Sequence, residues 1–189
     1  MAIGAATGGG RGVTLVHALK SLSLTYDAGQ DRILAVVNPG RLDSWAFWLT
    51  RRLTLGLLAR LPATLAGTSP VVKQAPAEYR GELAAFEREA ALASTAGAMA
   101  WTDDSVLKNN AVIAELAIAV RITEAGNGFG VELRGERGGQ AAGVLGRDQL
   151  QRVLQMVYGE ATKAYWLGTP AKPKETEETK AATPKPMRH

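Results

Sequence analysis

The sequence predicts an α+β protein of two tandem ββββα units, antiparallel meander sheets each backed by a helix and joined by a helical linker. Three observations predict it. Short runs of alternating apolar and polar residues are separated by turn residues. Each set of runs ends where the apolar period changes from two to that of a helix. The pattern also recurs at an offset of 96, residues 22–61 aligning with 118–157 without a gap.

In the first unit, Leu22-x-Leu24-x-Tyr26 reads as a half-buried strand and Asp27 to Asp31 as a turn. Ile33 to Val37 is the next strand, Asn38-Pro39-Gly40 the next turn and Ser44 to Leu49 the third strand. Thr50 can cap a helix through Leu53, Leu57, Leu58 and Leu61, and Pro62 disfavours its extension. In the second unit, Ile118, Val120 and Ile122 fall on Leu22, Leu24 and Tyr26. Asn127-Gly128 reads as a hairpin turn. Phe129 to Leu133 and Gln140 to Leu145 are strands, and a helix runs through Leu150, Leu154, Val157 and Ala161. Arg41, Leu49, Arg51 and Leu58 meet identical residues at 137, 145, 147 and 154. A strand before each copy comes from Val13-x-Leu15 and from Val112-Ile113. The linker carries one helix, about Ala77 to Ser94, with Tyr79, Leu83, Phe86 and Ala90 at helical spacing.

The expected boundaries are a flexible leader (1–10), the first unit (11–67), the linker (68–110), the second unit (111–167) and a disordered tail (168–189). The tail is rich in Lys, Glu, Thr and Pro and has too few apolar residues to offset its ordering entropy.

Composition narrows the function. The chain of 189 residues has no cysteine and two histidines, so thiolate chemistry is absent and most hydrolytic and metal chemistry lacks its usual groups. His17 sits among apolar residues and reads as a strand residue satisfied near the core. No phosphate loop, nucleophile elbow or calcium loop occurs, so neither a cofactor nor a metal is expected. The start lacks a secretory signal, and the longest apolar stretch, Leu53 to Ala66, is broken by Arg60 and Pro62. A cytoplasmic, membrane-free protein is the expectation. The net charge is +4, and residues 11–67 carry seven Lys/Arg against three Asp. The basic bias therefore lies in the first unit.

Alternation assigns the faces. Leu22, Leu24, Tyr26, Ile33, Ala35, Val37, Trp45, Phe47 and Leu49 share one face, which the helix should cover. The opposite face carries Ser23, Thr25, Arg32, Leu34, Val36, Ala46 and Trp48. That face is too apolar to be merely solvated, so the two copies pack sheet to sheet or fuse into one barrel-like sheet, or two chains associate through it, or it binds single-stranded nucleic acid. Its counterpart in the second unit includes Ala119, Arg121, Gly130, Glu132, Arg134, Ala142 and Val144 and has no aromatic. In the nucleic-acid case the residues expected to bind are Trp48, stacking on a base, and Arg32, Arg41, Arg51, Arg52 and Thr25 around it. Arg51-Arg52 stands at a helix N-terminus, against the macrodipole, either as a pair kept for an anionic partner, or as solvated residues, or with Arg51 paired to Asp31 or Asp43.

The stretches T-Y-D-A-G-Q-D-R-I-L (25–34), W-A-F-W-L-T-R-R-L (45–53) and A-F-E-R-E-A-A-L (85–92) resemble a group of small proteobacterial proteins without an assigned function. At the level of fold, tandem ββββα units resemble the purine-rich-element-binding (PUR) repeats and, more distantly, the Whirly proteins. The resemblance implies single-stranded DNA or RNA binding on the sheets, although the second unit departs in having no outward aromatic. The leading expectation is a non-enzymatic single-stranded nucleic-acid-binding protein. The alternative is a structural or adaptor protein that uses the same face for protein contacts. A homo-oligomer is expected in either case.

Overall fold

Among the described residues, seven strands and five helices follow one another in the order β1 (Val16–Ala18), β2 (Leu22–Asp27), β3 (Arg32–Val37), β4 (Trp45–Leu49), α1 (Arg51–Thr68), α2 (Pro70–Gln74), α3 (Arg80–Thr95), α4 (Asp104–Ile113), β5 (Glu115–Ala125), β6 (Gly128–Gly135), β7 (Gln140–Leu145) and α5 (Arg147–Lys163). A 3₁₀ turn, Ala77–Tyr79, precedes α3. The computed structural model describes residues 16–95 and 104–168. The leader, all but the first residue of the tail, and the Val13-x-Leu15 part of the expected first strand lie outside them.

The expectation of two separate antiparallel ββββα units is overturned. All seven strands form one mixed sheet, in the order β1-β7-β6-β5-β4-β3-β2. Two antiparallel meanders, β2-β3-β4 and β5-β6-β7, are joined by parallel seams. At one seam Phe47 meets Glu115 and Trp48 meets Leu116. At the other, Val16, His17 and Ala18 meet Gln140, Ala141 and Ala142. The leading strand thus pairs with the last strand of the opposite half and not with its own meander, in which β2 ends the strand order. Val112-Ile113, expected as a strand, closes α4, and β5 starts two residues later.

The two halves share the registers of β3-β4 and β6-β7 and those of the seams, but not that of the first pair: Leu22 meets Val37, whereas Leu133, 96 residues after Val37, meets Val120 and not the aligned Ile118. A shift of 96 carries Ile33↔Leu49 onto Phe129↔Leu145 and the first residue of α1 onto that of α5. It carries Ala18↔Ala142 onto Ala114 and Ala46, the register that Phe47↔Glu115 continues. The hairpins differ. Residues 28–31 link Asp27 to Arg32, with Asp31 at φ 47°, whereas Gly126 and Asn127 alone link Ala125 to Gly128. Gly126 takes the positive φ of 58°, so the tight turn falls one residue before the expected Asn127-Gly128 pair.

The sheet is curled until its edges meet. In a flat sheet β1 and β2 would stand about 29 Å apart, at about 4.8 Å per strand. Residues 19–21 can span only about 15 Å between Ala18 and Leu22. Residues 16–27 therefore act as one bent strand. Leu19 N–H donates to Ala142 O (2.8 Å) on β7, and Asn38 N–H donates to Ser21 O (3.0 Å) from the end of β3.

Asn38 pins the bend. Its side chain is fully buried, with Oδ1 accepting from Lys20 N (3.0 Å) and Ser21 N (3.1 Å) and Nδ2 donating to Ala18 O (2.6 Å) and Asp43 Oδ2 (3.1 Å). These bonds serve backbone groups that have left one ladder and not yet joined the next. Asn38 holds φ 49°, which asparagine tolerates better than most residues.

The main core lies inside the curl. Leu24, Ile33, Ala35, Val37, Phe47 and Leu49 pack with Val131, Leu133 and Ala141, and with Leu61, Leu65, Leu150, Leu154, Val157 and Ala161 of α1 and α5. Thr50 caps α1, accepting from Leu53 N (3.3 Å). Pro62 does not stop α1, contrary to expectation. Burial of Leu61 and Leu65 on either side of it compensates the lost hydrogen bond. The linker holds more than one helix. Ala91 of α3 is buried, while Tyr79 of the 3₁₀ turn and Phe86 of α3, both from the expected apolar stripe, stay exposed.

Replacing Asn38 by Ala should cost about 3 kcal/mol or more in urea denaturation, since several buried backbone groups lose partners together. A cost below about 0.5 kcal/mol would place Asn38 among ordinary surface loop residues.

Candidate functional site

The outward face of β2-β3-β4 carries most of the residues expected to bind nucleic acid. Across it Thr25, Leu34 and Trp48 stand side by side, with Leu116 of β5 next to Trp48. Arg32 lies at the hairpin end of β3, and Arg51 and Arg52 are exposed on the first turn of α1 near that end. Arg41 lies beyond the other end of β3 and is held near Asp43, with Nε 3.7 Å from Oδ1. The structure thus brings Arg32, Arg51, Arg52, Thr25 and Trp48 to one region and leaves Arg41 outside it.

Trp48 does not present its ring. It is 9% exposed and packs with Leu34, Val36, Ala46 and Ala114, with Ala111 of α4 against them. Helix α4 lies over this face and is tied to it by Ser44 Oγ, which donates to Asn110 Oδ1 (3.0 Å). Arg137 donates from Nη2 to Ile113 O (2.8 Å) and holds the end of α4. A stacking role for Trp48 is corrected on this ground: the ring is desolvated by the protein's own linker. Arg51 and Arg52 form no ion pair with Asp31 or Asp43. Asp31 accepts from Tyr26 and Trp166, and Asp43 engages Lys20, Arg41 and Asn38.

The corresponding face of β5-β6-β7 is bare among the described residues. Arg121, Thr123, Gly130, Glu132, Ala142 and Val144 line a shallow depression of about 400 Å³. Val144 is 67% exposed, and Ile118, at the register shift in β5, is 59% exposed. The charges are mixed. Glu132 stands 3.9 Å from Arg134, while Arg121 has no ion pair among the described residues. Inside the curl, a wholly apolar void of about 40 Å³ lies between α1, α5 and the sheet. That is far below the few hundred Å³ of a small-molecule site.

Two polar clusters were not foreseen from the sequence. At the seam, Glu115 is 1% exposed and accepts from Trp45 Nε1 (2.7 Å) and Arg137 N (2.7 Å). Gly135 and Gly139 lie so close to its carboxylate that a Cβ at either would collide with it. The His17 ring stacks on Trp45 at 4.6 Å, with Nδ1 3.3 Å from Asp43 O. At the hairpin end, Tyr26 OH (3.0 Å) and Trp166 Nε1 (2.9 Å) both donate to Asp31 Oδ1. The hydrogen bond to Asp31, then desolvation, then the charges of Asp31 and Asp27 hold the Tyr26 phenol above the ordinary tyrosine value. Neither cluster opens on a cavity that could receive a substrate. No group of three or more His, Cys, Asp or Glu side chains is placed to hold a metal among the described residues. No family model, curated protein or solved structure matches the chain.

Trp48→Ala should destabilise the fold by about 3 kcal/mol or more in urea denaturation, as for a buried aromatic. An effect within about 0.5 kcal/mol would mean a ring on the open surface. Asp31→Asn should bring the Tyr26 phenol back toward the ordinary value in an alkaline absorbance titration. Because the folded state raises this value, the associated stability is present below the unfolded phenol's range and is lost as pH rises through the folded one. An unchanged tyrosine titration in Asp31→Asn would remove that linkage.

Proposed function

We propose that this chain is a non-enzymatic assembly protein that associates with a second copy of itself through the outward face of β5-β6-β7. One observation carries the reading. The two outward sheet faces occupy like positions in the two halves, yet α4 covers the first and the second is bare among the described residues, with Val144 and Ile118 exposed on it. Such a face gains by burial against another surface. Its mixed charges suit self-association, because a twofold pairing can bring Arg121 of one copy toward Glu132 of the other. The enclosure of Trp48 weighs against the single-stranded nucleic-acid reading, which is left with arginines and, among the described residues, no exposed aromatic on either outward face. A cytoplasmic location belongs to this proposal. The described residues include no helix long and apolar enough to cross a membrane.

Sedimentation velocity over a range of concentrations should show a monomer–dimer equilibrium, and Val144→Lys should weaken it by about tenfold or more. A monomer at every concentration would refute the reading. So would tight binding of a labelled single-stranded oligonucleotide that weakens steeply with salt and is lost in Arg121→Ala.

A further inference from the structure

We propose that the free edge of β5, over Ala119–Ala125, accepts an extended acidic segment of a partner protein as an added strand. The site is an edge, distinct from the face that carries Val144, so the inference stands apart from self-association.

The backbone directions follow from one hydrogen bond. Gly135 N–H donates to Gly139 O (2.8 Å), so the Gly135 backbone turns toward β7. Successive residues of a strand turn to opposite sides. Leu133, Val131 and Phe129 therefore also turn toward β7, and Arg134, Glu132 and Gly130 turn toward β5. There they meet Ala119, Arg121 and Thr123 in register. Val120, Ile122 and Glu124 consequently direct their N–H and C=O groups away from β6. Beyond Leu116 no strand among the described residues pairs with that side, because β4 ends at Leu49 and the chain turns into α1.

The opposite half closes the like edge. Tyr26 N–H, on the outer side of β2, donates to Glu160 Oε2 of α5 (2.8 Å). The residue of α1 that a shift of 96 sets in the place of Glu160 is Thr64, and its hydroxyl donates to Arg60 O within its own helix (3.2 Å). One edge is thus capped by a carboxylate, and the other has no such cap among the described residues. Exposed edges are usually blunted, and a retained one is a template for another strand.

Charge selects the occupant. Arg51 and Arg52 lie on the first turn of α1, which follows the strand beside β5, and the helix dipole adds positive potential there. Arg121 projects from the outward face of β5. None of these three arginines has an ion pair among the described residues. The acids nearby are Glu132, across the ladder from Arg121 and 3.9 Å from Arg134, and Glu124 at the far end of the edge. The field is therefore positive beside Ala119–Arg121 and turns negative toward Glu124. A strand with carboxylates at its Ala119 end fits that gradient. A second β5 fits it poorly, since it would bring two sets of the same arginines together.

The test uses the full chain and a fluorescein-labelled hexapeptide, Glu-Val-Glu-Thr-Glu-Val, with the Lys-for-Glu peptide as its counterpart. Anisotropy in low-salt buffer should show binding of the Glu peptide only, and saturation should slow amide exchange at Val120, Ile122 and Glu124. The double variant Arg51→Glu/Arg52→Glu, at exposed positions, should weaken binding by about tenfold or more, whereas Val144→Lys should leave it intact. Equal binding of both peptides, binding without slowed exchange at those amides, or no binding overturns the inference. Concentration-dependent protection of the same amides without peptide would make a second copy the occupant and overturn it equally.

Discussion

Three residues, Leu19 to Ser21, have to carry the chain from one edge of a seven-stranded sheet to the other. The rest of the architecture depends on this constraint. A connection that short is possible only if the sheet curls, and the curl makes an inside. Apolar faces of both meanders then converge on α1 and α5, and one core serves both halves. The closure is polar in character. Asn38 satisfies backbone groups between two ladders, where an apolar side chain would leave them unmatched. Glu115 does comparable work at the other seam, and the small residues at 135 and 139 give its carboxylate room.

Near-equivalence of the halves makes their differences informative. The registers of β3-β4 with β6-β7 and of the two seams agree under one shift, and the two long helices begin at matching positions, whereas β5 lies two residues out of step with β2. What differs is what covers each half. The linker between the halves supplies α4 to the outward face of β2-β3-β4, while the face of β5-β6-β7 is bare among the described residues. Helix α5 sets a carboxylate against the edge of β2, while α1 offers β5 no comparable group. Both asymmetries leave the second half with open surface. This is why the functional readings turn to protein contacts on that half rather than to the tryptophan of the first.

Much of the local structure was legible in the sequence because it depends on neighbours along the chain. Period-two alternation places Leu24, Ile33, Ala35, Val37, Phe47 and Leu49 on one face, and the core contains them. Thr50 before a leucine-rich helix is a cap that spacing alone identifies. The pairing of the halves was not legible, because parallel seams of two or three residues leave no periodic trace. Nor was the burial of Trp48. An apolar outward face announces that something must cover it, but not whether the cover is the same chain, and α4 lies some sixty residues further on. The role of Asn38 was hidden in an Asn-Pro-Gly turn, where its type is explained by turn chemistry alone. In α3 the apolar stripe misled because the small residues, Ala91 among them, make the close approach. The large aromatics are left outside.

Native-state hydrogen exchange at the amides of Leu19, Lys20, Ser21 and Asn38 tests the closure most directly. The account predicts that all four exchange only through global unfolding, with the same free energy as the central amides of β3 and β6. Exchange at the rate of an exposed loop, while β3 and β6 stay protected, would mean that the edges do not meet and that the sheet is open.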